Sequence, residues 1–207
     1  MIAPLACANL CAAIYQTDQG WGHYWARDQV VVAHKRLETG DVIILRGSQA
    51  LIDWERDLAA LPAHHELLGT LHAGFMAGMD DVYAEIQSVI TGPLAITGHS
   101  LGAARAMILA GLFAANKRSA VQATVFGCPR PGGEQLRDIL VMSGTKLASY
   151  RNERDVVTYV PFLPEIFCHV IDPTQLHGGS VPGDVTIFRE HSISQYLIGL
   201  EKLSAPA

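Results

Sequence analysis

Hydrophobic and polar positions alternate along this chain in a way that predicts strands separated by helices. Short, nearly continuous apolar runs are typical of strands covered on both faces, and they occur at residues 29–33, 41–45, 94–97, 121–126 and 146–150. Stretches with helical periodicity or strong helix propensity flank them, at residues 2–14, 74–90, 103–115, 134–141 and 192–203. This order predicts an α/β fold with a mostly parallel central sheet and helices on both faces.

One long stretch departs from this alternation. Residues 156–187 contain several prolines and glycines and follow neither a helical nor a strand period. We expect an irregular segment there, and long loops in compact domains usually carry a functional site or cover one.

Length and charge limit the architecture and the class of partner. The chain has 207 residues, enough for one sizeable core, so residues 1–207 are predicted to form a single domain. Its net charge of −5 offers no basic stripe for nucleic acid and no polybasic patch for an anionic membrane. We therefore expect a small-molecule or lipid substrate and no obligate protein partner, with room for transient contact with a lipid surface.

The four cysteines, Cys7, Cys11, Cys128 and Cys168, allow two interpretations. A secreted protein of this size could pair them, although the sequence alone does not establish any pairing. We expect buried free thiols instead.

The apolar N-terminal segment also allows two interpretations. It contains Ala6-Cys7-Ala8, which resembles a signal-peptide cleavage site, but no Lys or Arg precedes it. We interpret residues 2–14 as a first helix, and no stretch is long enough to span a membrane. With neither a signal peptide nor a transmembrane segment evident, the expected location is cytoplasmic or undetermined.

The motif with the clearest chemistry is Gly98-His99-Ser100-Leu101-Gly102, which fits the G-x-S-x-G pattern of a nucleophile elbow. In that turn the serine lies between a strand and a helix, and the helix directs its N-terminal N–H groups at a developing oxyanion. A chance turn would also fit five residues, but an apolar strand before the motif and an Ala-rich helix after it are the required context. Ser100 is therefore the candidate nucleophile of an α/β-hydrolase fold.

Other histidines near the motif have simpler interpretations. His99 adjoins the nucleophile, but a side chain at that position points away from it, so we expect a packed or hydrogen-bonded structural residue. His64-His65-Glu66 lacks metal-ligand spacing and no H-E-x-x-H motif occurs. We expect no metal and no cofactor.

Several ordered segments surround the elbow: Leu45-Arg46-Gly47-Ser48, then Asp53-Trp54 and Asp57-Leu58, His72-Ala73-Gly74-Phe75, Phe126-Gly127-Cys128-Pro129-Arg130-Pro131-Gly132, and Arg151-Asn152-Glu153-Arg154-Asp155-Val156-Val157 with Pro161. With the elbow, these segments resemble the class 3 lipases, the family of fungal triacylglycerol lipases, from about residue 42 to residue 191. Leu45 replaces a usual aromatic residue and Ala103 replaces a usual glycine. The family's helical lid corresponds to residues 59–71 in this chain. This segment is short, so we expect only a short helical flap there.

The remaining members of a catalytic triad follow from chain order and from the resemblance. In α/β-hydrolases the acid follows the serine and the histidine follows the acid. Glu153 and Asp155 are both available after the strand at 146–150, and the family pattern selects Asp155. Three histidines come later, and His191, directly before the last helix, is similar to the family's base, whereas His169 and His177 lie in the irregular segment.

Two donors would complete an oxyanion hole. The backbone N–H of Leu101 is one, because it directly follows the nucleophile. The resemblance implies Ser48 as the other, through its backbone N–H and its hydroxyl, and a plain turn residue after Gly47 is the alternative.

These residues together predict a serine hydrolase that cleaves carboxylic esters through an acyl-enzyme. Two rivals remain open: a catalytically silent binding module with the same fold, and an acyltransferase that uses the same triad. The short flap predicts weak interfacial activation and a preference for short esters.

Overall fold

The structure is a computed structural model that describes residues 1–16, 20–27, 30–48, 61–118 and 121–205. The strands are β1 (His23–Arg27), β2 (Val30–Leu37), β3 (Gly40–Leu45), β4 (Pro62–His65), β5 (Gly69–His72), β6 (Leu94–His99), β7 (Val121–Phe126), β8 (Lys146–Asn152) and β9 (Thr174–Leu176). The helices are α1 (Pro4–Ala13), α2 (Ala73–Met76), α3 (Met79–Ile86), α4 (Leu101–Ala115), α5 (Glu134–Met142) and α6 (Ile193–Ser204), with a 3₁₀ turn at Val156–Tyr159.

Seven of these strands form one twisted sheet in the order β1-β2-β3-β6-β7-β8-β9. The pairs from β3 to β9 are parallel, whereas β1 pairs with β2 and β2 with β3 in antiparallel fashion. The sheet is therefore mixed and mainly parallel. The crossover helices lie between the parallel strands in sequence, as parallel pairing requires.

Each face of the sheet buries its own apolar layer, because successive side chains of a strand point to opposite faces. Val30 and Val32 contribute to the layer that contains α2, α3, α4 and α5. Val31 and Ala33 contribute to the opposite layer, which contains α1 and α6. Helix α4 is buried along almost its whole length, so it is the central helix, and helices cover both faces as predicted.

Four strands end at the same edge of the sheet. Leu45 pairs with Gly98, His99 with Phe126, and Phe126 with Tyr150, so the segments that leave these strands are neighbours. The elbow, the Arg46–Ser48 segment, Gly127 and the segment after Asn152 therefore meet at one place, which is where ligands bind in open α/β sheets.

The structure corrects three predictions about individual elements. The helix predicted at 74–90 is two helices, α2 and α3, because Gly78 between them adopts a left-handed conformation with φ of 75°. The sheet gains an antiparallel edge through β1, which the hydrophobic pattern does not predict. The short strand β9 interrupts the segment predicted to be irregular.

The prediction of a helical flap at residues 59–71 is wrong for residues 61–71, the part of that segment that the structure describes. Strands β4 and β5 pair as an antiparallel hairpin. The hairpin is anchored rather than loose: the His65 ring accepts hydrogen bonds from the N–H groups of Leu67 and Leu68 and contacts Asp80, and Leu68 and Leu71 are buried. The motif residues Asp53, Trp54, Asp57 and Leu58, and residues 59–60, lie outside the described residues.

None of the four cysteines forms a disulfide. Cys7, Cys11 and Cys128 are buried thiols as predicted, while Cys168 is only half-buried. Burial raises the pKa of Cys7 to about 11, so its sulfur remains a thiol near neutral pH. In the part of the chain that the structure describes, every helix is too short or too polar to cross a membrane.

Candidate active site

Ser100 lies in the sharp turn that joins β6 to α4. Its backbone has φ of 61° and ψ of −131°, a conformation that is strained for any residue with a side chain. Its N–H donates to the Phe126 carbonyl, and this bond ties the turn to the next strand. The strain and the tie explain how a short segment holds a serine hydroxyl at the end of the sheet.

Glycines flank this turn because the backbone segments approach too closely for a side chain. A Cβ at Gly98 would lie 2.2 Å from the Gly102 carbonyl oxygen, and a Cβ at Gly102 would lie 2.1 Å from the Leu45 carbonyl oxygen. Both contacts are with backbone, which has no freedom to move aside. The spacing of the motif is thus a packing requirement, and it brings the end of β3 against the start of α4.

Asp155 and His191 form a buried pair beside the elbow. His191 Nδ1 lies 2.6 Å from Asp155 Oδ2, and both side chains are fully buried. The Tyr196 hydroxyl, from the first turn of α6, donates to the same carboxylate oxygen. The N–H of Val157 donates to Asp155 Oδ1 at 3.0 Å. The carboxylate is therefore hydrogen-bonded through both oxygens, which orients it toward the imidazole.

The surroundings keep Asp155 ionised. Burial alone would raise its pKa, but the neighbouring His191 and the hydrogen bonds from His191, Tyr196 and Val157 outweigh burial and hold the pKa below its usual range. A carboxylate in this state fixes the tautomer of His191 with its proton on Nδ1 and stabilises a positive charge on the ring.

Two polar atoms at the centre of the site are buried without a hydrogen-bond partner among the described residues: Ser100 Oγ and His191 Nε2. A buried polar atom without a partner is costly unless function requires it. The hydroxyl and the ring nitrogen are the two atoms that exchange a proton in a Ser-His-Asp triad. The ring of His99, the residue before Ser100, lies 4.7 Å from the His191 ring between centroids, so the elbow and the histidine are in contact range.

The two candidate oxyanion donors lie next to the elbow. Leu101 is the first residue of α4, so its N–H has no acceptor within the helix. Ser48 directly follows Gly47, where a Cβ would lie 3.1 Å from Ser100 Cβ. Leu101 thus adjoins Ser100 directly, whereas Ser48, which is half-buried, is one residue from a position that packs against Ser100.

The sequence of this site matches a known family. Residues 42–165, more than half of the chain, match the family model described as Lipase (class 3). The chain belongs to the class 3 lipase family. Every segment that carries the resemblance, from Leu45 to Pro161, falls within the matched range.

Two curated relatives from different kingdoms are similar to this class 3 lipase chain. A lipase of Rhizomucor miehei is 29% identical in a 149-residue alignment that covers 63% of this chain and 40% of the relative. The chloroplastic phospholipase A(1) DAD1 of Arabidopsis thaliana is 32% identical in a 174-residue alignment that covers 70% of this chain and 39% of the relative. The chain therefore spans about two fifths of the length of these relatives.

The fold is also that of solved fungal lipases. The structure of the Rhizomucor miehei triacylglyceride lipase superimposes with a TM-score of 0.68 at 21% identity, covering 83% of this chain and 77% of that one. This agreement establishes the α/β-hydrolase fold of the class 3 lipases for this chain.

The residues that competed for the triad lie elsewhere. Glu153 is partly exposed and its carboxylate lies 3.6 Å from the exposed ring of His177, so these two residues contact each other rather than Asp155. His169 lies on the irregular segment, where burial and the nearby Arg130 lower its pKa. Among the three later histidines, His191 is the one that the fold brings to Asp155.

Asn152, at the end of β8, holds the segment that carries His191. Its side chain is fully buried and donates to the carbonyl oxygens of Gly179 at 2.8 Å and Glu190 at 2.9 Å. Its amide oxygen accepts from the Gly178 N–H at 2.8 Å. One amide therefore ties two separate loop segments to the sheet, directly before the candidate base.

Sequence reasoning assigned no role to Asn152, Gly127 or Tyr196. A Cβ at Gly127 would lie 2.8 Å from His191 Cε1 and 3.0 Å from the Tyr196 hydroxyl, so only glycine leaves room for the ring. Tyr196 could have been found from its position: it is a hydroxyl-bearing aromatic one turn into the helix that follows the candidate base. Asn152 has no such local signal, because its partners are distant in sequence.

Within the described ranges, no group of three or more His, Cys, Asp or Glu side chains is arranged to hold a metal ion. His99, expected to be structural, is buried and hydrogen-bonded to the His191 carbonyl.

Proposed function

We propose that this class 3 lipase chain hydrolyses carboxylic esters through an acyl-enzyme. Ser100 attacks the ester carbonyl and transfers its proton to His191 Nε2, while Asp155 holds the imidazole and stabilises the imidazolium. The N–H groups of Leu101 and Ser48 bind the oxyanion of the tetrahedral intermediate. His191 then protonates the leaving alcohol, and water activated by the same histidine releases the acid.

The observation that carries the proposal is the buried contact of 2.6 Å between His191 and Asp155 beside a serine held at a positive φ. A structural role alone does not explain why Ser100 Oγ and His191 Nε2 are buried without partners among the described residues. Family membership supports the same chemistry, since the two curated relatives are named a lipase and a phospholipase A(1).

The proposed substrate is a lipid-like or short acyl ester. An ester-hydrolysis assay with a p-nitrophenyl ester series of increasing acyl length tests this, with the Ser100→Ala variant as the matched control. We expect activity that Ser100→Ala abolishes, together with covalent labelling of Ser100 by a serine-reactive phosphonate.

The same assay separates the rival functions. Adding alcohol acceptors would divert the acyl group into a new ester if the chain is an acyltransferase. A wild-type chain that neither hydrolyses the esters nor reacts with the phosphonate would contradict the proposal and favour a silent binding module.

A further inference from the structure

Tyr15 and His99 lie behind the candidate triad, and the proposed mechanism uses neither. Tyr15 follows α1, and its hydroxyl lies 3.3 Å from His99 Nδ1. His99 Nε2 lies 2.7 Å from the backbone carbonyl oxygen of His191. The two side chains therefore connect the first helix to the main chain of the candidate base.

The proton positions along this connection follow from which groups can donate. A carbonyl oxygen only accepts, so His99 Nε2 carries the proton. Burial, and then the neighbouring His191, lower the pKa of His99 to about 3, so the ring is neutral and Nδ1 carries no proton. Nδ1 accordingly accepts from the Tyr15 hydroxyl.

The connection continues to the segment before Ser48. The hydroxyl of Tyr15 also packs against Gly47, the residue before Ser48. A Cβ at Gly47 would lie 2.4 Å from that oxygen and 2.7 Å from the His99 carbonyl oxygen. Gly47 is therefore packed directly onto both Tyr15 and the elbow, and Ser48 is the next residue.

We propose that Tyr15 and His99 are positioning residues, which hold the candidate base and the neighbouring oxyanion segment in place beside Ser100. One hydrogen-bond chain runs from the Tyr15 hydroxyl through the His99 ring to the His191 carbonyl, and Gly47 packs against the Tyr15 end of that chain. This inference rests on the proposed ester hydrolysis.

Asp155 and His99 hold different parts of His191, and this explains why the hydrogen-bond chain matters. Asp155 orients the ring through Nδ1, and His99 fixes the peptide group from which that ring projects. Both constraints are needed, because a misplacement of about 1 Å in a reacting group costs roughly 100-fold in rate. A neutral imidazole suits this place, since a cation 4.7 Å from the His191 ring would oppose the imidazolium formed during attack.

Three variants separate the links of the chain. Tyr15→Phe removes only the hydroxyl. His99→Asn keeps a polar atom near the Nδ1 position but does not reach the His191 carbonyl, whereas His99→Gln keeps a donor near the Nε2 position. We expect Tyr15→Phe and His99→Asn each to lower kcat about tenfold with little change in KM, and His99→Gln to retain more activity than His99→Asn.

A double variant tests whether the two residues act through one chain. Tyr15→Phe combined with His99→Asn should lose no more than about twofold beyond His99→Asn alone. Tyr24→Phe, an exposed tyrosine on β1, is the matched control and should keep wild-type kcat. Thermal melting of each variant identifies the temperature at which all remain folded, and the rate of Ser100 labelling by a phosphonate reports on the first step alone.

Each outcome has a definite meaning. Wild-type kcat in Tyr15→Phe and His99→Asn, with only a lowered melting temperature, would show that the two side chains merely pack and would overturn the inference. Independent, multiplicative losses in the double variant would overturn the single chain. A wild-type protein that lacks both hydrolysis and phosphonate labelling would refute the proposed function and this inference with it, whereas an active wild type isolates the inference.

Discussion

The elbow and the segment from Glu153 to His191 solve the same positioning problem by different means. The elbow places Ser100 through covalent geometry: two glycines, a strained φ and backbone contacts that leave no space for a side chain. The later segment places Asp155 and His191 through side-chain hydrogen bonds, in a chain with little regular structure.

This difference predicts how each region fails. A change in the elbow meets rigid backbone, so the damage spreads to the fold. A change in the later segment removes hydrogen bonds, so the damage should remain near the site and affect rate more than stability.

The largest expected effect comes from Gly102→Ala in the elbow. The added Cβ would lie 2.1 Å from the Leu45 carbonyl oxygen and 2.8 Å from the Arg46 carbonyl carbon. We expect a loss of about 4–5 kcal/mol or more in the free energy of unfolding, a large share of ordinary domain stability. Urea denaturation measures it.

Gly92→Ala is the matched control, because its Cβ would make only ordinary contacts of 3.8 Å and 3.9 Å. Equal stability of the two variants would contradict the view that the elbow is set by backbone contact.

The second largest effect is expected at the histidine that serves as the base. His191→Ala should lower kcat by about 10³–10⁴-fold, because the proposed mechanism relies on His191 to accept the serine proton. His169→Ala and His177→Ala should each retain most of the wild-type rate, since neither ring contacts Asp155. A dead His169 or His177 variant beside an active His191→Ala would refute the assignment, with circular dichroism confirming that each variant is folded.

The tie made by Asn152 should have a smaller effect. Asn152→Ala leaves the carbonyls of Gly179 and Glu190 without their donor, and the segment that carries His191 can then shift. We expect kcat to fall about 10–100-fold while the melting temperature drops only moderately. Asn116→Ala, which loses a bond to the Leu112 carbonyl within α4, is the control for removing an asparagine amide. If both variants keep full kcat, the tie does not position the base.

The pH dependence should be smaller still, about tenfold per pH unit on the acid side. Only a neutral imidazole accepts a proton, so a histidine base makes the rate rise with pH on the acid side and then level. Because the pKa of Asp155 is lowered, this side chain stays a carboxylate at pH values where an ordinary aspartate begins to take up a proton. The stability that the ionised Asp155 contributes is therefore lost only as the pH falls through that lowered pKa. Burial, and then the neighbouring His191, lower the pKa of His99 to about 3, so the His99 ring stays neutral over the same range. The kcat/KM profile should thus show one acid-side step, and a flat profile from acidic to neutral pH would argue against a histidine base.

The smallest expected effect is interfacial activation. The β4–β5 hairpin is held by His65 and by buried leucines, so it is not a hinged apolar cover. We expect the rate on a short ester to change by less than about twofold as its concentration passes the solubility limit. A sharp jump when droplets form would show that a lipid surface itself drives opening.

The elbow and the segment from Glu153 to His191 also differ in how well the sequence predicts them. The elbow was predicted because its geometry permits few residues, so Gly98 and Gly102 appear directly in the motif. The strands that are buried on both faces were predicted for a similar reason, since such burial leaves an unbroken run of apolar residues in the sequence.

The elements that were missed bury too little to leave a pattern. Four of the five residues of strand β1, His23–Arg27, are exposed, so no hydrophobic alternation marks it. The β4–β5 hairpin contains Pro62 and two adjacent histidines, which have no strong strand preference. The role of Asn152 depends on partners 26 to 38 residues away, and such contacts become visible only in the folded chain.

The burial of the candidate active site has a consequence for the fraction of molecules that can bind substrate. Ser100 is 1% exposed, and neither its Oγ nor His191 Nε2 is open to water. An ester carbonyl needs more room than a water molecule, so the proposed hydrolysis would require molecules in which this site is more open. Apparent affinity is reduced by the fraction in that form. If about 1% of molecules are open, substrate binds roughly 100-fold more weakly than the open form alone would bind it. A substitution that favours opening would therefore raise affinity at the expense of thermal stability, without touching the substrate.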